Sequence, residues 1–207
     1  IKEIHLGGGS PSYMTEEEFE QLVANIKLLV DIDTLDEFAI EIDAITVTPD
    51  KLRFYHRHGI SRLSFGIQDF SPEVQTAIGR EQSPQLIEKL ILPEIRQLFK
   101  GVNFDLMYGL PLQTRDSFRE TVATVLQLSP DRIAFYNYFH KPELHKHQVT
   151  IKECDLPNLV EKTMIFAETS HKFIENGYEA IGIDHFAKSS DDLATAKIQK
   201  KLTRHFM

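Results

Sequence analysis

Residues 1–11 read IKEIHLGGGSP, a strand-like run that empties at Leu6 straight into Gly7, Gly8 and Gly9, then Ser10 and Pro11. Three glycines in a row carry no side chains to block a ligand, so backbone N–H groups can close on a small polar or anionic group. In open or barrelled parallel sheets, ligands sit at the C-terminal ends of the strands. The junction of strand and glycine loop therefore points to both a fold class and a place to look for chemistry. Only six residues precede the loop, and a further segment upstream is expected.

Strand and helix signals alternate from there on. Thr15-Glu16-Glu17-Glu18 is a capping-box pattern ahead of helically spaced Phe19, Leu22, Val23, Ile26 and Val30. Strands are expected at Glu37–Ile42, Arg62–Gln68, Asn103–Tyr108 and Arg132–Tyr138. Helices are expected at Pro49–His58, Pro72–Ile78, Pro84–Phe99 (kinked or broken at Pro93), and from Thr114 to Leu128. His140–Glu153 is charged, rich in histidine and aperiodic, and reads as a long loop. A long helix from Pro157 to Asn176, a strand over Tyr178–Asp184 and a basic terminal helix over Leu193–Leu202 complete the pattern. Repeated βα units predict an α/β fold with a parallel sheet, a (β/α) barrel or part of one.

Bulk properties narrow the class. The 207 residues suffice for a substantial core, and length favours one domain. No run approaches the roughly 18 apolar residues of a membrane span, and no signal segment opens the chain. The single cysteine, Cys154, excludes an internal disulfide and fits a reducing cytoplasm. A net charge of −8 argues against a nucleic-acid partner.

Polar residues at the strand ends are the candidates for chemistry, because a buried parallel strand is otherwise nearly all apolar. The second strand offers Glu41 and Asp43, the third Gln68 and Asp69, the fourth Asp105, the fifth Tyr136, Asn137 and Tyr138, with Arg80 as a nearby cation. Carboxylates and amides suit ribose hydroxyls and ammonium groups, and an arginine grips a carboxylate with two bonds. Each alone is more often a cap or a loop tie; their recurrence at strand ends is the signal. The glycine run is not GxGxxG, which weakens a dinucleotide reading. His140, His145 and His147 read as solvated loop residues, His56 and His58 fall on different helix faces, and Cys154 reads as a loop cysteine.

The segments IHLGGGSPSYM, FAIEID, RLSFGIQDF, GREQ, NFDLMYGLPLQT, DRIAFYNYFH and YEAIGIDHFAK resemble, in order and spacing, the oxygen-independent coproporphyrinogen III oxidases of the radical S-adenosylmethionine (SAM) family. The resemblance covers essentially the whole chain. It implies a partial (β/α)6 radical-SAM-type barrel with parallel strands. Residues 1–139 would form the barrel βα units, and 140–207 a loop, a long helix and edge elements. It also implies two SAM molecules beside a [4Fe–4S] cluster. Gly8 and Glu41 match contacts to the cluster-bound SAM. Gly9, Ser10, Gln68, Arg80 and Asp105 match residues lining the second, Phe139 matches a main-chain contact, and Ser10 stands for the family's more usual threonine. The implied reaction is oxidative decarboxylation of two propionates of coproporphyrinogen III to give protoporphyrinogen IX, in haem biosynthesis.

Further expectations come with the resemblance: a cytoplasmic monomer, an electron donor of unknown identity, and no membrane or nucleic-acid partner. Asp184 and His185 would stand near the substrate mouth, and Lys141, Lys188, Lys200, Lys201 and Arg204 are candidates to meet a tetracarboxylate. The related radical-SAM haem chaperone is the alternative. Its His-Asn…Tyr-Trp signature has no counterpart here, and the chain contains no tryptophan. The family's CxxxCxxC motif and its C-terminal domain are absent from these residues. An internal fragment of a complete enzyme, inactive alone, is therefore expected.

Overall fold

The structure, a computed structural model, describes residues 1–202; residues 203–207, Arg204 among them, and the side chain of His147 lie outside the described residues. Seven strands occur: β1 (Glu3–Leu6), β2 (Glu37–Ile42), β3 (Arg62–Gln68), β4 (Gly101–Tyr108), β5 (Arg132–Asn137), β6 (Tyr178–Ile181) and β7 (His185–Lys188). Their order in the sheet is β1-β2-β3-β4-β5-β7-β6. The helices are α1 (Glu16–Lys27), α2 (Pro49–Arg57), α3 (Pro72–Ile78), α4 (Pro84–Leu90), α5 (Pro93–Arg96), α6 (Arg115–Leu128), α7 (Leu159–Glu175) and α8 (Asp192–Ile198). The α/β class and the alternation of strand and helix agree with the sequence reading.

β1 pairs parallel to β2, with Leu6 opposite Ile40, and β2 pairs parallel to β3, with Glu41 opposite Ser64. In the segment expected to supply edge elements, β7 runs antiparallel to both β5 and β6. Only Gly182, Ile183 and Asp184 separate β6 from β7. A connection that short joins antiparallel neighbours only, because a parallel crossover needs a dozen or more residues. Gly182, at φ 70°, supplies the left-handed turn. The stretch Tyr178–Asp184, read as one strand, is thus a strand followed by a hairpin turn.

Caps set the helix starts. Thr15 Oγ1 accepts the Glu18 N–H at 3.2 Å, and Glu18 Oε2 accepts the Thr15 N–H at 2.9 Å. This reciprocal box satisfies two of the donors that a helix N-terminus leaves open. Thr15→Ala is expected to cost about 1 kcal/mol of stability, read as a lower denaturation midpoint at unchanged slope. Pro93 ends the helical stretch that began at Pro84 and opens a short new helix, α5, as its missing N–H dictates.

Two compact units are distinguished: Ile1–Gly66 with Gln82–Phe104, and Ile67–Glu81 with Asp105 onward. In the first, Phe38, Ile40, Leu63 and Phe65 of β2 and β3 are buried, as are Phe19 of α1 and Tyr55 of α2, whose rings lie 4.7 Å apart. The alternate positions of the same strands are polar: Glu37 and Glu41 on β2, Arg62 and Ser64 on β3. Arg62 is 2% exposed, with Nε 2.7 Å from Glu37 Oε2 and Nη1 3.3 Å from Asn103 Oδ1. In the second unit, Phe135 of β5 lies 5.5 Å from Phe118 and 5.9 Å from Phe166, both rings nearly parallel to it. Phe173 meets the same ring edge-on. Within each unit, one side of the strands is therefore aromatic and aliphatic core.

Candidate functional site

In the first unit, the end of β1 delivers the glycine loop beside Glu41, the penultimate residue of β2. A Cβ on Gly7 would lie 2.6 Å from Glu41 Oε1 and 3.0 Å from the His5 ring, so only glycine leaves room for this carboxylate. Gly8, at φ 105°, takes a backbone conformation closed to most side chains. Its N–H points to Glu41 Oε2 at 3.3 Å, while His5 Nε2 lies 3.1 Å from Oε1. Glu41 is thus held at both oxygens with 40% of its side chain exposed to a ligand. A Cβ on Gly9 would meet nothing within 4 Å, which leaves its backbone open to approach. Ser10 is extended, and its hydroxyl makes no capping bond.

The far side of this loop is pinned by residues with no evident sequence signal. Buried Ser12 accepts the Asp43 N–H at 3.0 Å and the Thr46 hydroxyl at 2.7 Å. Lys51 Nζ donates to the carbonyls of Ser12 and Met14 at 2.7 and 2.9 Å. Asp43 lies beyond the end of β2 and accepts the Ile45 N–H at 3.3 Å, opening a 3₁₀ turn over Ala44–Thr46. Of the two carboxylates that the sequence placed on one face, Glu41 addresses the loop and Asp43 makes a turn.

In the second unit a cavity of about 530 Å³ is lined by Gln68, Arg80, Met107, Leu110, Tyr138 and Phe139, among others. Gln68 sits at φ 63°, and the Asp69 N–H reaches over it to the Ile67 carbonyl at 2.8 Å. This is a γ-turn of the strained, positive-φ kind. Gln68 Oε1 is buried with no hydrogen-bond partner. Arg80 is half-buried, and its guanidinium meets no carboxylate among the described residues. Asp105 shares one face of β4 with Met107, a lining residue.

Phe139 exposes 65% of its surface, and its carbonyl accepts Gln148 Nε2 at 3.0 Å. Gln148 Oε1 in turn accepts the Lys141 N–H at 2.5 Å. Buried Gln148 therefore staples the loop after β5, a role nothing local in the sequence announces. Lys162 of α7 donates to the Tyr138 carbonyl at 3.2 Å, and its stem covers Gly109; burial pushes its ammonium below the usual lysine range. Tyr138 lies 3.1 Å from His140 through its hydroxyl, and burial raises its phenol.

Asp184 and His185 do pair, at 2.7 Å through His185 Nδ1, with the Tyr136 hydroxyl 3.5 Å from Nε2. Lys188 is tied to the Ser129 carbonyl at 3.0 Å and to Asp131 at 3.4 Å. Lys200 and Lys201 are exposed. Cys154 is free and exposed, and among the described residues no group of three His, Cys, Asp or Glu side chains is arranged to hold a metal. Nor, among these residues, is any helix long and apolar enough to cross a membrane.

Residues 1–125 match the Radical SAM superfamily. The chain belongs to this superfamily. Over all 207 residues this radical SAM chain is 39% identical to the oxygen-independent coproporphyrinogen III oxidase of Salmonella typhimurium, and 41% identical to that of Synechocystis. It spans 45% and 44% of their lengths, so it covers less than half of each relative it matches. The solved coproporphyrinogen III oxidase from Escherichia coli superposes with a TM-score of 0.93 at 37% identity, over 99% of this chain and 47% of that one.

Proposed function

We propose that the radical SAM chain binds SAM through two sets of residues: Gly8 and Glu41 in the first unit for one molecule, and Gln68, Arg80, Asp105 and the Phe139 backbone in the second unit for another. The observation that carries this reading is the pair of open polar valences in the 530 Å³ cavity, the orphaned Gln68 Oε1 and the uncompensated Arg80. Buried polar atoms normally find partners, so such a pair supports a ligand offering a donor and a carboxylate. SAM offers an ammonium, a carboxylate and ribose hydroxyls. Glu41, fixed by His5 and the Gly8 N–H, suits the cationic or hydroxyl-bearing part. Gly9 offers an open backbone, and Ser10 a hydroxyl that makes no capping bond, to the polar atoms of a ligand.

A [4Fe–4S] cluster does not fit the residues present, because one exposed cysteine cannot supply three thiolates. The cluster belongs to the proposal only through sequence outside these 207 residues. When bound and reductively cleaved, SAM supplies a 5′-deoxyadenosyl radical, which removes a hydrogen atom from substrate. The tasks of this chain are then to hold SAM, orient it and keep water away.

The substrate we propose is coproporphyrinogen III, on the strength of the relatives' names and the likeness along the whole chain. Each of two propionates would lose one hydrogen atom to that radical, carbon dioxide to solution and one electron to an external one-electron acceptor, and so become a vinyl group. Asp184 and His185, with the Tyr136 hydroxyl beside them, form a hydrogen-bonding edge suited to a substrate carboxylate or pyrrole N–H. Of the candidate lysines, Lys200 and Lys201 are exposed and Lys141 partly so, and these are proposed to meet a tetracarboxylate.

Anaerobic assay of the full-length protein with SAM and a reductant tests this reading. The expected result is two carbon dioxide molecules and one protoporphyrinogen IX per substrate consumed. Stoichiometric haem binding with no turnover would overturn it in favour of haem trafficking. Within the same assay, Arg80→Ala is expected to raise the KM for SAM by about 10- to 100-fold, the loss of a charge-assisted hydrogen bond to carboxylate.

A further inference from the structure

Gln68 holds a backbone conformation that non-glycine residues avoid, and something must keep it there. The residue that follows it is the candidate. Asp69 is fully buried, yet no cation pairs with it among the described residues. Its carboxylate is instead surrounded by neutral donors from three segments: the Ser71 N–H at 2.8 Å, the Thr121 hydroxyl at 2.5 Å and Gln113 Nε2 at 2.7 Å. Burial pushes its carboxyl above the ordinary range, and these donors oppose that shift. An uncompensated buried carboxylate is costly, and here its use is geometric, since it only accepts and so can gather donors that would repel one another.

We propose that Asp69 is the positioning residue of the cavity lined by Gln68 and Arg80, clamping the Gln68 γ-turn to the loop after β4. Three lines of contact lead from it to the rim. The first is the chain itself, since the Asp69 N–H closes the γ-turn over Gln68. The second passes through Gln113, whose Oε1 accepts the Gly109 N–H at 2.6 Å and so fixes the approach to Leu110. The third passes through Gln75, whose side chain donates to the Asp69 carbonyl at 2.8 Å and whose own carbonyl accepts the Arg80 N–H at 2.9 Å. Gln68, Leu110 and Arg80 are thereby placed relative to one buried residue. Thr121, 1% exposed on α6, ties the same clamp to the helical layer and also receives the Phe70 N–H at 3.1 Å.

The proposal rests on the SAM reading for its ligand but not for its geometry, and Asp69→Asn separates the two. The new amide keeps an oxygen for Ser71 and Thr121 but turns its NH₂ toward Gln113 Nε2, donor against donor. In the ligand-free full-length protein, hydrogen exchange at the Asp69, Ser71 and Gly109 positions is expected to quicken about tenfold or more. SAM affinity of the Gln68–Arg80 cavity is expected to fall about tenfold or more. The second variant, Asp69→Asn with Gln113→Glu, moves the charge across the same bond. It restores an acceptor for that NH₂ while still accepting the Gly109 N–H, but loses the bond that Gln113 Nε2 donates to the Met107 carbonyl at 3.0 Å, so it should recover part of both losses. Should Asp69→Asn not fold, Thr121→Val removes a single donor and should move both readouts the same way by a smaller factor.

Unchanged exchange and unchanged affinity in a folded Asp69→Asn would overturn the proposal. So would lost affinity that Gln113→Glu fails to restore, because a general structural lesion has no reason to respond to that swap. If the parent binds no SAM at all, the SAM reading fails, and the exchange data still decide whether the clamp exists.

Discussion

Arg62→Ala is expected to lower the unfolding free energy by about 3–5 kcal/mol, the usual cost of breaking a buried charge pair by deleting one partner. Arg62 is 2% exposed, and its guanidinium spans from Glu37 on β2 to Asn103 on β4. Removing it takes the 2.7 Å guanidinium partner from Glu37, whose side chain is 21% exposed, and leaves a void among the strands. Denaturant unfolding should show the loss as a lower midpoint with an unchanged slope. Arg62→Met with Glu37→Gln should be milder than Arg62→Ala alone, because no charge is left behind and volume is kept. A loss under about 1 kcal/mol for Arg62→Ala would mean that this pair contributes no more than a surface ion pair does.

Gly7→Ala carries the second large effect, on ligand binding instead of stability. The added methyl would stand 2.6 Å from Glu41 Oε1 and 3.0 Å from Glu41 Cδ, so the carboxylate must leave its place between His5 and the Gly8 N–H. The atoms that must move are the end of a flexible side chain, so the fold should tolerate the change. Glu41 would no longer offer a fixed oxygen, and SAM affinity is expected to fall about 10- to 100-fold, the loss of one or two charge-assisted hydrogen bonds. Calorimetric titration with SAM checks this. Gly9→Ala, where a methyl meets nothing within 4 Å of protein, serves as the contrast: it should leave Glu41 in place and impair only a ligand that approaches that backbone.

The parts of this molecule legible in its sequence are those written locally. The capping box at Thr15, the break at Pro93 and the strand ends at Leu6, Ile42 and Gln68 all follow from residues within a few positions of one another. The candidate residues Glu41 and Gln68 can be chosen the same way, as polar side chains where a buried strand ends, with Arg80 as a cation nearby in sequence. What stays hidden depends on partners far along the chain. Gln113 reads as an ordinary loop residue until Asp69, 44 positions away, is found against it. Arg62 gives no hint of depth before Glu37 and Asn103 are beside it, and Gln148 shows its use only once the carbonyl of Phe139 and the N–H of Lys141 face it. His5 and Gly7 alternate with the half-buried Ile4 and Leu6, and their bearing on Glu41 comes from strand register. The antiparallel β7 leaves no signal, because His185–Lys188 is too short and too polar to show a period.

Two sets of residues, one around Gly8 and Glu41 and one around Gln68 and Arg80, are proposed to hold one molecule of SAM each. Equilibrium binding of labelled SAM to the cluster-reconstituted full-length protein tests this most directly. Two molecules per chain are expected, one weakened by Gly7→Ala and the other by Arg80→Ala. Binding of none, or binding that neither substitution alters, would contradict it.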